Sequence, residues 1–191
     1  MGRNSIAAIV AFGLMQPCFS RAQDAVADAV QPCWSCHGAA GSPTDATIPI
    51  IWGQRADYLE AQLRAYRSGD RENQIMNSMA ESLKRSEIAA VAALIAAKDW
   101  PKLDAAASAP GPESVSVCRG CHGADLTGGA SPVGPAPRLA GQNAAYLRSQ
   151  MVAFAHDERP NQPVMSALMK ALSDDDQAAI AAYLSSIDPK R

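Results

Sequence analysis

Cys33-Trp34-Ser35-Cys36-His37-Gly38 returns in the second half of the chain as Cys118-Arg119-Gly120-Cys121-His122-Gly123. The match continues outward. Gly53-Gln54-(x3)-Tyr58-Leu59-(x2)-Gln62 corresponds to Gly141-Gln142-(x3)-Tyr146-Leu147-(x2)-Gln150, then Tyr66 to Phe154, Arg71 to Arg159, Met76 to Met165 and Leu83 to Leu172. The spacing grows slightly between Gly123 and Gly141 and again just before Met165, so the copies differ by small insertions. The chain is thus an internal repeat, and its fold is that of one unit made twice.

Cys-x-x-Cys-His is the attachment signature of a c-type haem. On a helical turn, residues i and i+3 share a face, so both thiols can add to the vinyl groups of one haem while the histidine at i+4 is directed at the iron. A Cys-x-x-Cys alone also fits a zinc knuckle, a redox disulfide or a structural disulfide. Two copies, each followed by His-Gly, favour haem. Zinc needs ligands in fours, and the two clusters lie far apart in sequence. A sixth iron ligand is expected from methionine, a soft neutral donor that raises the potential. Met76 and Met165 are methionine in both copies, whereas Met79 pairs with Leu168 and Met169 with Ala80. Met79, Met169 and Met151 are therefore assigned to packing, the commoner use of methionine.

The periodicity is helical throughout. Tyr58, Leu59, Leu63 and Tyr66 form one stripe and Ile88, Val91, Leu94 and Ile95 another. Tyr146, Leu147, Gln150, Met151 and Phe154, then Ile180, Tyr183, Leu184 and Ile187, repeat them, with Ser173 and three aspartates opening the last helix. No run alternates at period two for long enough to argue a strand, so the class is all-α. Trp100 to Pro112 is rich in Pro, Ala, Gly and Ser and reads as the junction. The expected organisation is a signal peptide at 1–22, one domain at 23–100, a linker at 101–112 and a second domain at 113–191.

The leader carries Arg3, an apolar run from Ile6 to Met15 and a small-x-small site at Ser20-Arg21-Ala22. That run is too short to span a bilayer, which takes roughly 20 residues. Cleavage after Ala22 removes Cys18; Pro17 before it disfavours the alternative of a lipid-modified Cys18. The whole chain is 191 residues with 48% hydrophobic and 19% charged residues and a net charge of −2. Neither half is polarised, which argues against nucleic acid or an anionic membrane as partner. Only 5% of residues are aromatic, a thin supply for two small cores unless a large flat cofactor fills each one.

Seven further residues have readings of their own. His156, with Ser68 in its place in the first copy, reads as a solvated surface residue. Arg138 is a candidate donor to a haem propionate, since guanidinium suits carboxylates; Ile50 stands in its place in the first copy. Trp52 supplies either an indole N–H or only packing. Gln54, Gln142, Tyr58 and Tyr146 recur without a role that separates them from helix packing.

With two CxxCHG motifs, a Leu139-Ala140-Gly141-Gln142…Tyr146-Leu147…Gln150 segment and a methionine before the last helix of each half, the sequence resembles the dihaem cytochromes c of the cytochrome c4 family. The resemblance spans nearly all of the chain after Gln23 and is strongest from Arg138 to Ile187. It implies two cytochrome c domains packed with their haem propionate edges facing across a pseudo-twofold axis. It implies thioether bonds to Cys33, Cys36, Cys118 and Cys121, and axial pairs His37 with Met76 and His122 with Met165. It further implies a periplasmic electron carrier. Two features depart from the family: Pro110 and Pro112 leave only Glu113 to Val117 for a helix ahead of Cys118, and Ile50 and Trp52 replace the usual residues before Gly53.

Three functions follow as alternatives. The first is a periplasmic carrier moving single electrons between respiratory partners, such as a quinol-cytochrome c reductase and a terminal oxidase. The second is the cytochrome subunit of a dehydrogenase that oxidises a reduced sulfur compound or an alcohol. The third is a haem enzyme such as a peroxidase, which would need an iron able to open. No constellation of acids, bases or nucleophiles points to substrate chemistry.

Overall fold

The computed structural model describes residues 19–101 and 110–188, with side chains from residue 24 onward. Most of the leader and of the linker therefore lie outside the described residues. The first repeat forms α1 (Phe19–His37), α2 (Ala56–Ser68), α3 (Gln74–Ser82) and α4 (Ile88–Ala96). The second forms α5 (Val115–His122), a hairpin of β1 (Gly129–Ser131) and β2 (Gly134–Ala136), then α6 (Ala144–Ala155), α7 (Pro163–Lys170) and α8 (Asp174–Ser186).

Helix boundaries follow from local chemistry. Both motif helices stop at a glycine in the left-handed region, Gly38 at φ +89° and Gly123 at φ +86°, where a side chain would be strained. Asn73 caps α3 by accepting the Met76 N–H at 3.0 Å. Ser173 and Asp176 form a reciprocal capping box on α8, as the Ser-Asp run anticipated.

Each repeat has its own core, and equivalent residues fill both. Val30, Leu59, Val91 and Ile95 are buried in the first; Val115, Leu147, Ile180 and Leu184 take their places in the second. The chain turn before α2 is tied down the same way twice, with Gly53 N–H on the Ile95 carbonyl and Gly141 N–H on the Leu184 carbonyl. Met151 and Met169 are buried in the second core, in line with their assignment to packing.

Two expectations are refined. α5 starts only at Val115, so among the described residues no long helix precedes the second motif, as the prolines implied; buried Val115 alone does what Val30 does from within the 19-residue α1. The all-α reading misses the hairpin, in which Gly129 stands opposite Ala136. Three-residue strands of Gly, Ala, Ser and Pro carry no period-two signal, because neither face has an apolar side chain to repeat. Among the described residues, no helix is long and apolar enough to cross a membrane.

Candidate functional site

Cys33 and Cys36 lie on the last turns of α1, and Cys118 and Cys121 span a turn of α5, none of the four in a disulfide. Burial pushes the Cys33 and Cys118 thiols up. His37 and His122 are the final residues of their helices, and both are buried. His37 Nδ1 lies 2.8 Å from the Pro49 carbonyl oxygen, and His122 Nδ1 lies 2.8 Å from that of Pro137. A carbonyl only accepts, so Nδ1 carries the proton in each ring and Nε2 keeps its lone pair. Burial depresses both imidazole pKa values, the carbonyl partner opposing in part, which keeps the rings neutral.

Met76 sits in the first turn of α3 and Met165 in the first turn of α7, both half-buried. Met165 and Cys118 both border the second core, and Cys33 borders the first. His156 is exposed, as its solvated reading required.

The sequence profile of the cytochrome c family matches twice, over residues 24–98 and 108–188. The chain belongs to the cytochrome c family. Within it, the chain is a dihaem cytochrome c of the c4 type, with two covalently bound haem c groups. A thiosulfate dehydrogenase electron acceptor of Stutzerimonas stutzeri (strain A1501) is 35% identical over 180 residues, spanning 85% of this chain and 82% of the relative. The cytochrome c4 of Acidithiobacillus ferrooxidans superposes with a TM-score of 0.71 at 30% identity, covering 83% of this chain and 99% of that one. Thiosulfate dehydrogenase (TsdBA) from Marichromatium purpuratum superposes with a TM-score of 0.71 at 28% identity, covering 91% of this chain and 41% of that longer one.

The residues present fit haem c in this cytochrome. Each copy offers two thiols one turn apart and a neutral imidazole with a free Nε2, held by a second partner as metal-ligating histidines usually are. Trp52 and Trp100 each bury an indole N–H with no partner, which suits an acceptor such as a carboxylate. Among the described residues, no three His, Cys, Asp or Glu side chains gather into a metal cluster, so the zinc alternative finds no ligand set. Arg138 is half engaged: its Nε donates to the Ala140 carbonyl at 3.3 Å and its guanidinium lies 4.4 Å over the Trp100 ring. The carboxylates of Asp125 and Asp188 act on the same guanidinium, opposing the effect of its burial.

The recurring glutamines, tyrosines and arginines of this cytochrome do more than pack helices. Gln54 bonds to the backbone of Arg138, and Gln142 to the backbone of Ile50. Arg71 donates to Gln62, Gln150 and Tyr146, while Arg159 donates to Gln150, Gln62 and Tyr58. These residues fasten the two domains together about a pseudo-twofold axis. The signal was in the sequence: polar residues kept at matching places in both copies, with no haem chemistry to explain them.

Proposed function

We propose that this cytochrome is a periplasmic carrier that accepts electrons one per haem from a dehydrogenase of a reduced sulfur compound and passes them toward a terminal oxidase. The likeness to a thiosulfate dehydrogenase electron acceptor over 85% of the chain is the observation that carries the reading. Oxidation of a sulfur oxyanion releases electrons in pairs, and two one-electron sites can receive a pair. The signal-like leader supports the compartment.

In this reading residues 23–100 and 113–191 each hold one haem, with 101–112 joining them. Cys33 and Cys36 form thioethers in the first domain, Cys118 and Cys121 in the second. His37 with Met76, and His122 with Met165, are the axial ligands. When bound, each haem supplies a ferric/ferrous couple. The chain's own residues fix the proximal ring through the Pro49 and Pro137 carbonyls, exclude water by burying it, and supply a soft thioether that favours the reduced iron.

The test is reduction of the purified holoprotein, under anaerobic conditions, by a thiosulfate dehydrogenase catalytic subunit supplied with thiosulfate. Both haems are expected to become reduced within the enzyme's turnover time. Haems that ascorbate reduces and the enzyme does not would overturn the proposed donor.

A second reading, a freely diffusing carrier without a dedicated enzyme, draws on the cytochrome c4 that this chain covers over 99% of its length. Recovery from the cell envelope as a lone soluble cytochrome would favour it, and co-purification with a catalytic subunit would count against it.

A further inference from the structure

Each motif histidine reaches the opposite domain through a single peptide group. His37 Nδ1 meets the Pro49 carbonyl at 2.8 Å, and the N–H at the other end of that peptide, on Ile50, donates to Gln142 Oε1 at 2.8 Å. Gln142 Nε2 closes the pair on the Ile50 carbonyl, also at 2.8 Å. The second domain has the mirror arrangement. His122 Nδ1 meets the Pro137 carbonyl at 2.8 Å, the Arg138 N–H donates to Gln54 Oε1 at 2.8 Å, and Gln54 Nε2 donates to the Arg138 carbonyl at 3.0 Å. Gln54 is 4% exposed and Gln142 3%, so water does not compete for these bonds.

We propose that Gln142 and Gln54 are positioning residues that set, across the domain interface, the reduction potential of the haem held by the other domain. Neither side chain is an iron ligand. Each acts through a peptide whose N–H and C=O are conjugated, and hydrogen bonds in such a chain polarise one another. An acceptor engaged at the N–H end, here the glutamine Oε1, makes the carbonyl a stronger acceptor for Nδ1–H. The imidazole then becomes a stronger base at Nε2, which favours the oxidised iron and lowers the potential.

The two ends are not equal. The first-domain segment is also held by Asn143 Nδ2 on the Ile48 carbonyl at 2.7 Å and by the Tyr146 N–H on the Ala46 carbonyl at 3.1 Å. Arg138 has only Gln54 from across the interface among the bonds to its backbone. The extra anchors hold the first-domain segment when Gln142 is lost, so the larger effect is expected at the second haem, on loss of Gln54.

This inference rests on His37 and His122 being axial ligands. The experiment is a potentiometric titration of holoprotein variants, with each haem's signals assigned by NMR of its axial histidine and methionine. Gln142→Leu should raise the reduction equilibrium constant of the first-domain haem about three- to tenfold, at most about 59 mV for one electron, and move the second-domain haem less. Gln54→Leu should exchange the two haems. Gln142→Asn keeps the amide but stops one methylene short, and should shift the first-domain haem in the same direction by less. It carries the test if the leucine variant does not fold.

Folded variants with unmoved potentials, equal shifts of both haems, or shifts confined to the mutated residue's own domain would overturn the proposal. Failure of the ligand assignment is separately visible, because the wild-type protein would then lack two His/Met signatures.

Discussion

Tyr58 of the first domain accepts a hydrogen bond from Arg159 of the second at 3.2 Å, and Tyr146 of the second accepts one from Arg71 of the first at 3.1 Å. Between these pairs, both guanidiniums donate to Gln62, each at 2.8 Å, and both donate to Gln150, at 2.6 and 2.8 Å. The arginines are only 5% and 6% exposed, and each also lies over an aromatic ring of its own domain, Tyr66 for Arg71 and Phe154 for Arg159.

Because the two arginines share both glutamines, their contributions should not add. Arg71→Leu and Arg159→Leu are each expected to cost about 1.5–3 kcal/mol, the range for bonds to a charged donor. The double variant should lose less than the two together. Denaturant unfolding of the four holoproteins measures the coupling, and strict additivity would show that the glutamines hold each arginine independently.

The proposed axial ligation separates the methionines. Met76→Ala and Met165→Ala should each remove half of the methionine-to-iron charge-transfer absorbance at the red edge of the visible spectrum, and Met79→Leu, Met151→Leu and Met169→Leu none of it. Full intensity in either alanine variant would refute that ligand.

Two glycines beside the haem motifs should respond in opposite directions. A Cβ on Gly38 would lie 2.3 Å from the Ser42 carbonyl oxygen at φ +89°, so Gly38→Ala is expected to cost about 2–4 kcal/mol. Gly120, between Cys118 and Cys121 on α5, has nothing within 4 Å of such a Cβ. Gly120→Ala should stabilise by about 0.5–1 kcal/mol through helix propensity. Thermal melts of the two variants decide both.

Alkaline stability depends on the interface tyrosines. Burial pushes the Tyr66 phenol up to about 12, against the pull of Arg71 above its ring. Its contribution is complete below about pH 10, where the unfolded phenol ionises, and is lost as pH rises through about 12. The size is about 2–3 kcal/mol. Tyr58 works the other way. Burial raises its phenol, but Arg159 and Arg71 together bring it below its ordinary value, so it adds stability above the unfolded pKa. Tyr66→Phe should flatten the alkaline decline and Tyr58→Phe should steepen it, as followed by unfolding free energy against pH.

Much of this was legible from spacing. The Cys-x-x-Cys-His pairs marked the ends of α1 and α5, the apolar stripes located α2, α4, α6 and α8, and the Ser173 cap opened α8 where the structure opens it. The hairpin was not legible, since Gly129, Ala130 and Ser131 offer no face to bury. Nor was the use of Gln54 and Gln142. A side-chain amide bonding to backbone leaves no mark on its partner's identity, and Ile50 and Arg138 receive the same pair of bonds although their side chains have nothing in common.

The bracket around Ala46 to Ile50 also bears on the order in which the protein is completed. Ile50 is bound by Gln142, and Ile48 by Asn143, at separations of 92 and 95 residues. A chain that emerges N-terminus first can close its first core from Val30 to Ile95 before the second domain has been made. The loop that steadies His37 cannot be finished then. Contacts so distant in sequence form late, so the first haem pocket to be synthesised must wait for the second domain before it reaches its final shape.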